Sequence, residues 1–363
     1  MNNSTPKAST IIWTGKRLAI VDLLRGFAAV CIVWHHLSLY APESDLADRF
    51  APRLGYFLYN HALYAVAIFF VLGGLTASID KPIESLSETL RRIFDRYLRL
   101  SIPYVAMLVL LLGVAGFTHV LSWPLNQIES FSIPQLVSHL FFLQDILGYG
   151  NFSAGTWYLC IEFQWSCFVI VMAYLANRYR IQGVDPVVLR ATVLFPLGLV
   201  SSWYWSRSGD WEPYFLFFAA QYILGFYLGW NLQGRLPLFV LILYALGIGA
   251  SLWINPRPQL AVSLGVAAFL WSLVGWTKHW KLPLVFQWLS DISYSLFLIH
   301  YLINGLVLKA IDSWASRSPS FAAGAMLIAF LCSIAAATLF HRLLAGVVAV
   351  QQVNQKKEEK RKV

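Results

Sequence analysis

Along this chain, apolar residues gather into blocks of about 20 separated by short polar breaks, the length a helix needs to cross a hydrocarbon layer of roughly 30 Å. Inside such a layer every backbone N–H and C=O must be satisfied within the segment, so the blocks predict helices. Ten are expected, near 18–40, 56–78, 97–119, 155–177, 189–206, 213–231, 236–254, 259–277, 284–308 and 321–345. The segment 120–154 contains "HLFFLQDILGYGNF", which is too short to span and is expected to be a re-entrant or interfacial piece lining a cavity.

Composition agrees with that pattern. Of 363 residues, 58% are hydrophobic and 12% charged, against roughly half and a quarter in soluble domains. Many of the 15 Trp, 17 Tyr and 25 Phe stand at block ends, where amphipathic rings favour the membrane interface. The fold class is therefore all-α, a polytopic transmembrane bundle of about ten spans. Residues 1–350 are expected to form one transmembrane domain and 351–363 a basic cytoplasmic tail. Cys31, Cys160, Cys167 and Cys332 lie inside apolar blocks with no short paired spacing, so neither a disulfide framework nor a metal site is expected. The first block carries Asp22 and Arg25 and lacks a small-residue cleavage signature, so it reads as a retained span.

Charge orients the bundle. With both termini cytoplasmic, that side collects Lys16, Arg17, Arg91, Arg92, Arg96, Arg99, Arg178, Arg180, Arg190, Arg235 and the tail "QKKEEKRKV", whereas 120–154 has no Lys or Arg. Basic residues are retained on the cytoplasmic side, which favours this orientation. The formal net charge of +9 is thus spread over loops and tail that can touch anionic lipid, and nucleic acid is not expected as a partner. No internal repeat is visible, which weakens the competing reading of a transporter or flippase for a glycan or lipid-linked sugar.

Ionisable residues within spans are costly and mark function. In the first span Arg25 and His36 are eleven residues apart, so they share a face roughly 16 Å apart along the axis, and Asp22 is spaced to pair with Arg25. His35 is rotated by about 100° from His36 and looks elsewhere. Before the third span, Arg92, Arg96 and Arg99 share a helix face suited to the phosphates of a nucleotide-type cofactor, or to anchoring the span. Glu162 lies about two turns into the fourth block and needs a cationic or hydrogen-bonding partner. In the ninth, Ser293, His300 and Asn304 form an inward polar stripe.

These residues resemble the membrane-bound acyltransferase-3 family, the multi-span enzymes that modify bacterial surface polysaccharides. "IVDLLRGFAAVCIVWHH" is similar to the family's opening segment, its Arg-x10-His pair falling on Arg25 and His36. "IFFVLGGL" resembles its Phe-Phe-Val-Leu-Ser-Gly stretch, with Gly73 where the family usually has Ser. For that glycine pair, close helix packing is the preferred reading. "RYLRLSIPY" matches Arg-x-x-Arg and a following proline at Arg96, Arg99 and Pro103. "TWYLCIEFQW" supplies Trp157, Leu159 and Glu162, and "ISYSLFLIH" ends at His300. Five motifs in order over residues 18 to 304 are specific together though weak singly.

The resemblance implies transfer of an acyl group, acetyl above others, from acyl-CoA to a hydroxyl of a cell-surface carbohydrate or lipid-linked glycan, in the bacterial inner membrane. His36 is then the base that deprotonates the hydroxyl. Arg25 joins it in the catalytic set, and Glu162 orients or charge-balances it, or holds an arginine in place. Arg92, Arg96 and Arg99 would bind the donor's phosphates, while Trp157, Ser293, His300 and Asn304 would meet the acceptor or the pantetheine arm. Acylation of His36 itself is a variant of the same scheme.

Overall fold

The computed structural model describes residues 17–79, 82–123, 131–277 and 279–361; Met1–Gly15, Lys16, Lys81 and Lys278 lie outside them. Thirteen α-helices carry the fold and no strand occurs among the described residues. They are α1 (Ala19–Leu37), α2 (Glu43–Phe50), α3 (Pro52–Asn60), α4 (Val66–Ala77), α5 (Leu86–Val120), α6 (Ile133–Leu140), α7 (Thr156–Arg178), α8 (Pro186–Trp203), α9 (Phe215–Leu232), α10 (Leu238–Ile254), α11 (Pro258–Thr277), α12 (Leu284–Ala315) and α13 (Pro319–Arg361). Several starts are written in the local sequence. Ser85 Oγ accepts the Glu88 N–H at 3.1 Å to cap α5, and Asp185 Oδ1 accepts the Val187 N–H at 2.8 Å just ahead of Pro186 in α8.

Each expected block coincides with a helix, and the differences are instructive. Eight helices are long and apolar enough to cross a membrane, and α10 is apolar but only 17 residues long. The block at 56–78 is not one rod: α3 and the stretch Ala62–Ala77 meet at a 47° bend, through a 3-10 turn at Ala62–Ala65. A backbone carbonyl freed near that break, Leu58 O, accepts from His35 Nδ1 at 3.0 Å. Helices α5, α12 and α13 outrun their apolar blocks, because hydropathy reports the hydrocarbon thickness while helical hydrogen bonding continues into the polar flanks. The tail expected to be solvated from Gln351 is accordingly the continuation of α13 as far as Arg361.

Two apolar clusters hold the bundle. One surrounds α9, whose side chains from Phe217 to Gly229 are all buried, and draws on α4, α7, α8, α10 and α11. The other joins α1, α5, α12 and α13, with α2 laid against α13. At the centre of the first, α4 and α9 approach until backbone meets backbone. A Cβ on Gly74 would collide with the Tyr222 carbonyl, and one on Gly225 with the Val71 carbonyl. The glycine pair therefore packs helices, as small residues do in membranes, where close contact replaces hydrophobic drive.

Because neither neighbour is a side chain that can swing away, Gly74→Ala and Gly225→Ala are each expected to cost about 1–3 kcal/mol of stability. The check is the thermal midpoint of the detergent-solubilised protein; midpoints equal to wild type would refute this account of the α4–α9 contact.

Candidate active site

Helices α7, α8 and α9 run between the two ends of the bundle, roughly 27 to 35 Å at 1.5 Å per residue. At the end holding Arg178 of α7 and Arg190 of α8, basic residues gather; at the other, the loops before α7 and between α8 and α9 surround a cavity of about 810 Å³. A second cavity of about 440 Å³ lies against α1, α5, α7 and α12, and its wall includes Arg25, Arg96, Arg99, Glu162 and Ser293. Residues from four helices far apart in sequence thus meet in one pocket.

Glu162 organises this pocket. One carboxylate oxygen takes the Arg96 guanidinium, and the other accepts from Tyr222 Oη at 2.5 Å and Tyr158 Oη at 3.3 Å. Arg96 Nε also donates to Ser166 Oγ at 3.0 Å, so the guanidinium is fixed from two sides. Of the roles open to Glu162, this geometry is the holding of an arginine; the carboxylate does not touch His36. Gly73 makes room for it: a Cβ there would stand 2.8 Å from Tyr222 Cε1 and 3.7 Å from Glu162 Oε2.

The pairing of Asp22 with Arg25 does not form. Asp22 instead takes Arg17 and the Ser290 hydroxyl, the latter at 3.0 Å, and Arg17 also reaches Asp291 at 2.8 Å. Spacing along α1 named Arg25, but the partners are Arg17, just ahead of the helix, and Ser290 of α12. Arg25 and Arg99 receive no hydrogen bond or ion pair from the described residues, which leaves two cations facing the cavity. Arg92, by contrast, is outside the wall and is bound to Glu88 at 2.6 Å and to the Pro82 carbonyl at 3.1 Å.

His36 and His300, 264 positions apart in sequence, meet. His300 is fully buried, and its Nδ1 lies 2.9 Å from the Leu296 carbonyl, an acceptor only, so in the neutral pair Nδ1 carries the hydrogen and Nε2 is bare. That Nε2 lies 2.7 Å from His36 Nδ1, which must donate. His36 Nε2 is left with a free lone pair, the state a general base requires. His35 points away to Leu58, as its rotation about α1 predicts. Between the pair and the 440 Å³ cavity stand aromatic rings: Phe297 lies 6.4 Å from His300 and 5.5 Å from Tyr158 by ring centroids.

The polar stripe of α12 divides among three tasks. Ser293 lines the arginine cavity, His300 bonds His36, and Asn304 is buried at the α12–α13 contact, where its Oδ1 accepts from Ser333 Oγ at 2.8 Å. Like His36 and His300, Asn304 is not in the wall of these three cavities. Trp157 faces the 810 Å³ cavity, while its neighbours Tyr158 and Leu159 face the arginine cavity. Sequence reasoning missed Tyr222, Ser166 and Tyr158; of these Tyr158 and Ser166, one turn before and one turn after Glu162, carried a signal in their spacing. No group of three or more His, Cys, Asp or Glu placed to hold a metal occurs among the described residues.

No curated protein and no solved structure matches this chain. A family model described as an acyltransferase domain matches residues 18–338, a span that takes in every residue of both the arginine cavity and the histidine pair, and the chain therefore belongs to the acyltransferase-3 family of membrane proteins.

Proposed function

We propose that this acyltransferase takes an acyl group, acetyl by preference, from acyl-CoA at its basic end and passes it to a hydroxyl of a cell-surface carbohydrate. The observation that carries the reading is the ordered histidine pair beside a cavity walled by two uncommitted arginines and one held in place. Coenzyme A is polyanionic, and guanidinium groups bind phosphate through paired, charge-assisted hydrogen bonds. Arg25, Arg99 and the pre-oriented Arg96 suit that task; Arg92, committed to Glu88, does not.

In the chemical step the acceptor oxygen attacks the thioester carbonyl as its proton passes to His36 Nε2. The C–S bond then breaks, and the departing thiolate recovers that proton, so the enzyme ends as it began. His300 is a positioning residue: its bare Nε2 holds the His36 Nδ1 hydrogen and steadies the imidazolium. The alternative order, in which His36 Nε2 attacks the thioester first, uses the same lone pair and differs by a burst of free thiol.

His36→Ala is expected to lower transfer by about 10²–10⁴-fold with normal membrane insertion, the usual worth of a general base. His300→Ala should lower kcat and shift the pH–rate profile with little change in KM, because it releases the tautomer and leaves the binding cavity intact. Unaltered turnover in the first variant, measured as acyl-CoA-dependent product, would remove His36 as the base.

Arg99→Ala is expected to raise KM for acyl-CoA by roughly ten- to a hundredfold, since hydrogen bonds to charged groups contribute about 1.5–3 kcal/mol. Arg92→Ala should change it far less. Steady-state kinetics with donor and acceptor varied separately decide this, and an effect confined to the acceptor would count against the donor site.

Donor and acceptor are expected to work from opposite faces. In sealed vesicles of known orientation, acetyl-CoA on the cytoplasmic face and an impermeant acceptor on the other should give product. Product only when both share a compartment would overturn the transmembrane route while leaving acyl transfer in place.

A further inference from the structure

Resting on the acyl-transfer reading, we infer that the 810 Å³ cavity is the acceptor subsite and that it is built for an uncharged sugar ring. Its size lies within the roughly 300–1,000 Å³ of small-molecule sites. It opens at the end of α7, α8 and α9 opposite the one that holds Arg178 and Arg190.

Three polar side chains in its wall demand an explanation. Gln221 and Ser206 are each only 2% exposed, yet Gln221 Oε1 and Ser206 Oγ have no hydrogen-bond partner among the described residues, and neither has the buried Oδ2 of Asp145, whose Oδ1 accepts from Asn151 Nδ2. Polar atoms so buried are nearly always satisfied, and leaving one bare costs about 1–3 kcal/mol. Gln221 lies on α9, one residue before the Tyr222 that binds Glu162, so the helix that closes the donor pocket also presents this amide to the outer cavity. A ligand rich in hydroxyls, each both donor and acceptor, would complete all three atoms.

The remaining wall narrows the ligand further. Trp157 offers an aromatic face, packed on Phe218 with centroids 5.5 Å apart, and an apolar sugar face can lie on such a ring. The charges are mixed: Arg257 sits over the Phe217 ring at 5.8 Å, and Asp145 and Glu212 also line the wall. A charged sugar would be attracted by some of these groups and repelled by others. A neutral ring meets no repulsion, and its hydroxyls can donate to the carboxylates and accept from the guanidinium. The cavity is also close to the chemistry, because Trp157 and Tyr158, consecutive on α7, line the outer and the donor cavity respectively. Its Tyr64 wall belongs to the 3-10 turn packed on α1, the helix of His36.

The test is binding, read without turnover. Methyl glycosides of neutral hexoses, of a hexuronic acid and of an amino hexose are offered at millimolar concentration to the full-length protein in nanodiscs, and saturation-transfer NMR reports contact. Neutral glycosides should give the strongest transfer, and Gln221→Leu or Trp157→Ala should weaken it at least severalfold. Ser206→Ala, a smaller change, should weaken it less, with the size-exclusion profile confirming the fold of each variant. Equal signals from wild type and Gln221→Leu, no signal from any neutral glycoside, or preference for the charged glycosides would overturn the assignment. Neutral glycosides bound here but never acylated would instead fail the carbohydrate-acceptor reading and leave this site standing. Acylation of a glycan that Gln221→Leu leaves unaltered would do the reverse.

Discussion

The carboxylate of Glu162, two turns inside an apolar helix, is the constraint from which the site is built. A bare carboxylate in that setting would carry a desolvation cost of several kcal/mol, so it must be surrounded. It draws in Arg96 from α5, Tyr222 from α9 and its own neighbour Tyr158, and these bonds tie three helices around one charge. Tyr222 can arrive only because α4 offers glycine at 73 and 74. Helix packing and the geometry of the arginine cavity are thus one problem with one solution, and the glycine pair belongs to both.

Much of this was legible in the sequence. Hydropathy located the long apolar helices, since a hydrocarbon layer demands apolar length, and ionisable residues inside the blocks pointed to Arg25 and Glu162, which meet in one cavity, and to His36 and His300, which meet each other. The break between α3 and α4 was not legible, because a bent pair and a straight rod have the same average hydropathy. Nor was the excess length of α5 and α12, whose helical bonding ignores the membrane boundary.

Partner identity was the harder part. Spacing ranks partners within a helix, so Arg25 looked like the mate of Asp22, and Arg92 looked like the equal of Arg96 and Arg99. Other contacts decided otherwise: Ser290, brought in by packing of α12, and Arg17, just ahead of α1, satisfy Asp22, while Glu88, one turn earlier on the same helix, withdraws Arg92. The meeting of His36 with His300 had a trace in the sequence, two inward imidazoles, but no property of either helix states that α1 and α12 pack together. The outer cavity left still less trace, because its wall comes from loop residues and helix ends whose neighbourhood exists only in the folded chain.

The broken second span gives the twin histidines of α1 separate lives. His35 answers a carbonyl of Leu58 near the bend between α3 and α4, whereas His36 answers His300. Two identical neighbours are therefore bound to different parts of the bundle, one to a backbone carbonyl and one to a second imidazole, and an activity screen alone would confuse them. Loss of the first belongs in the quantity of protein that reaches the membrane intact; loss of the second belongs in what each intact molecule can do.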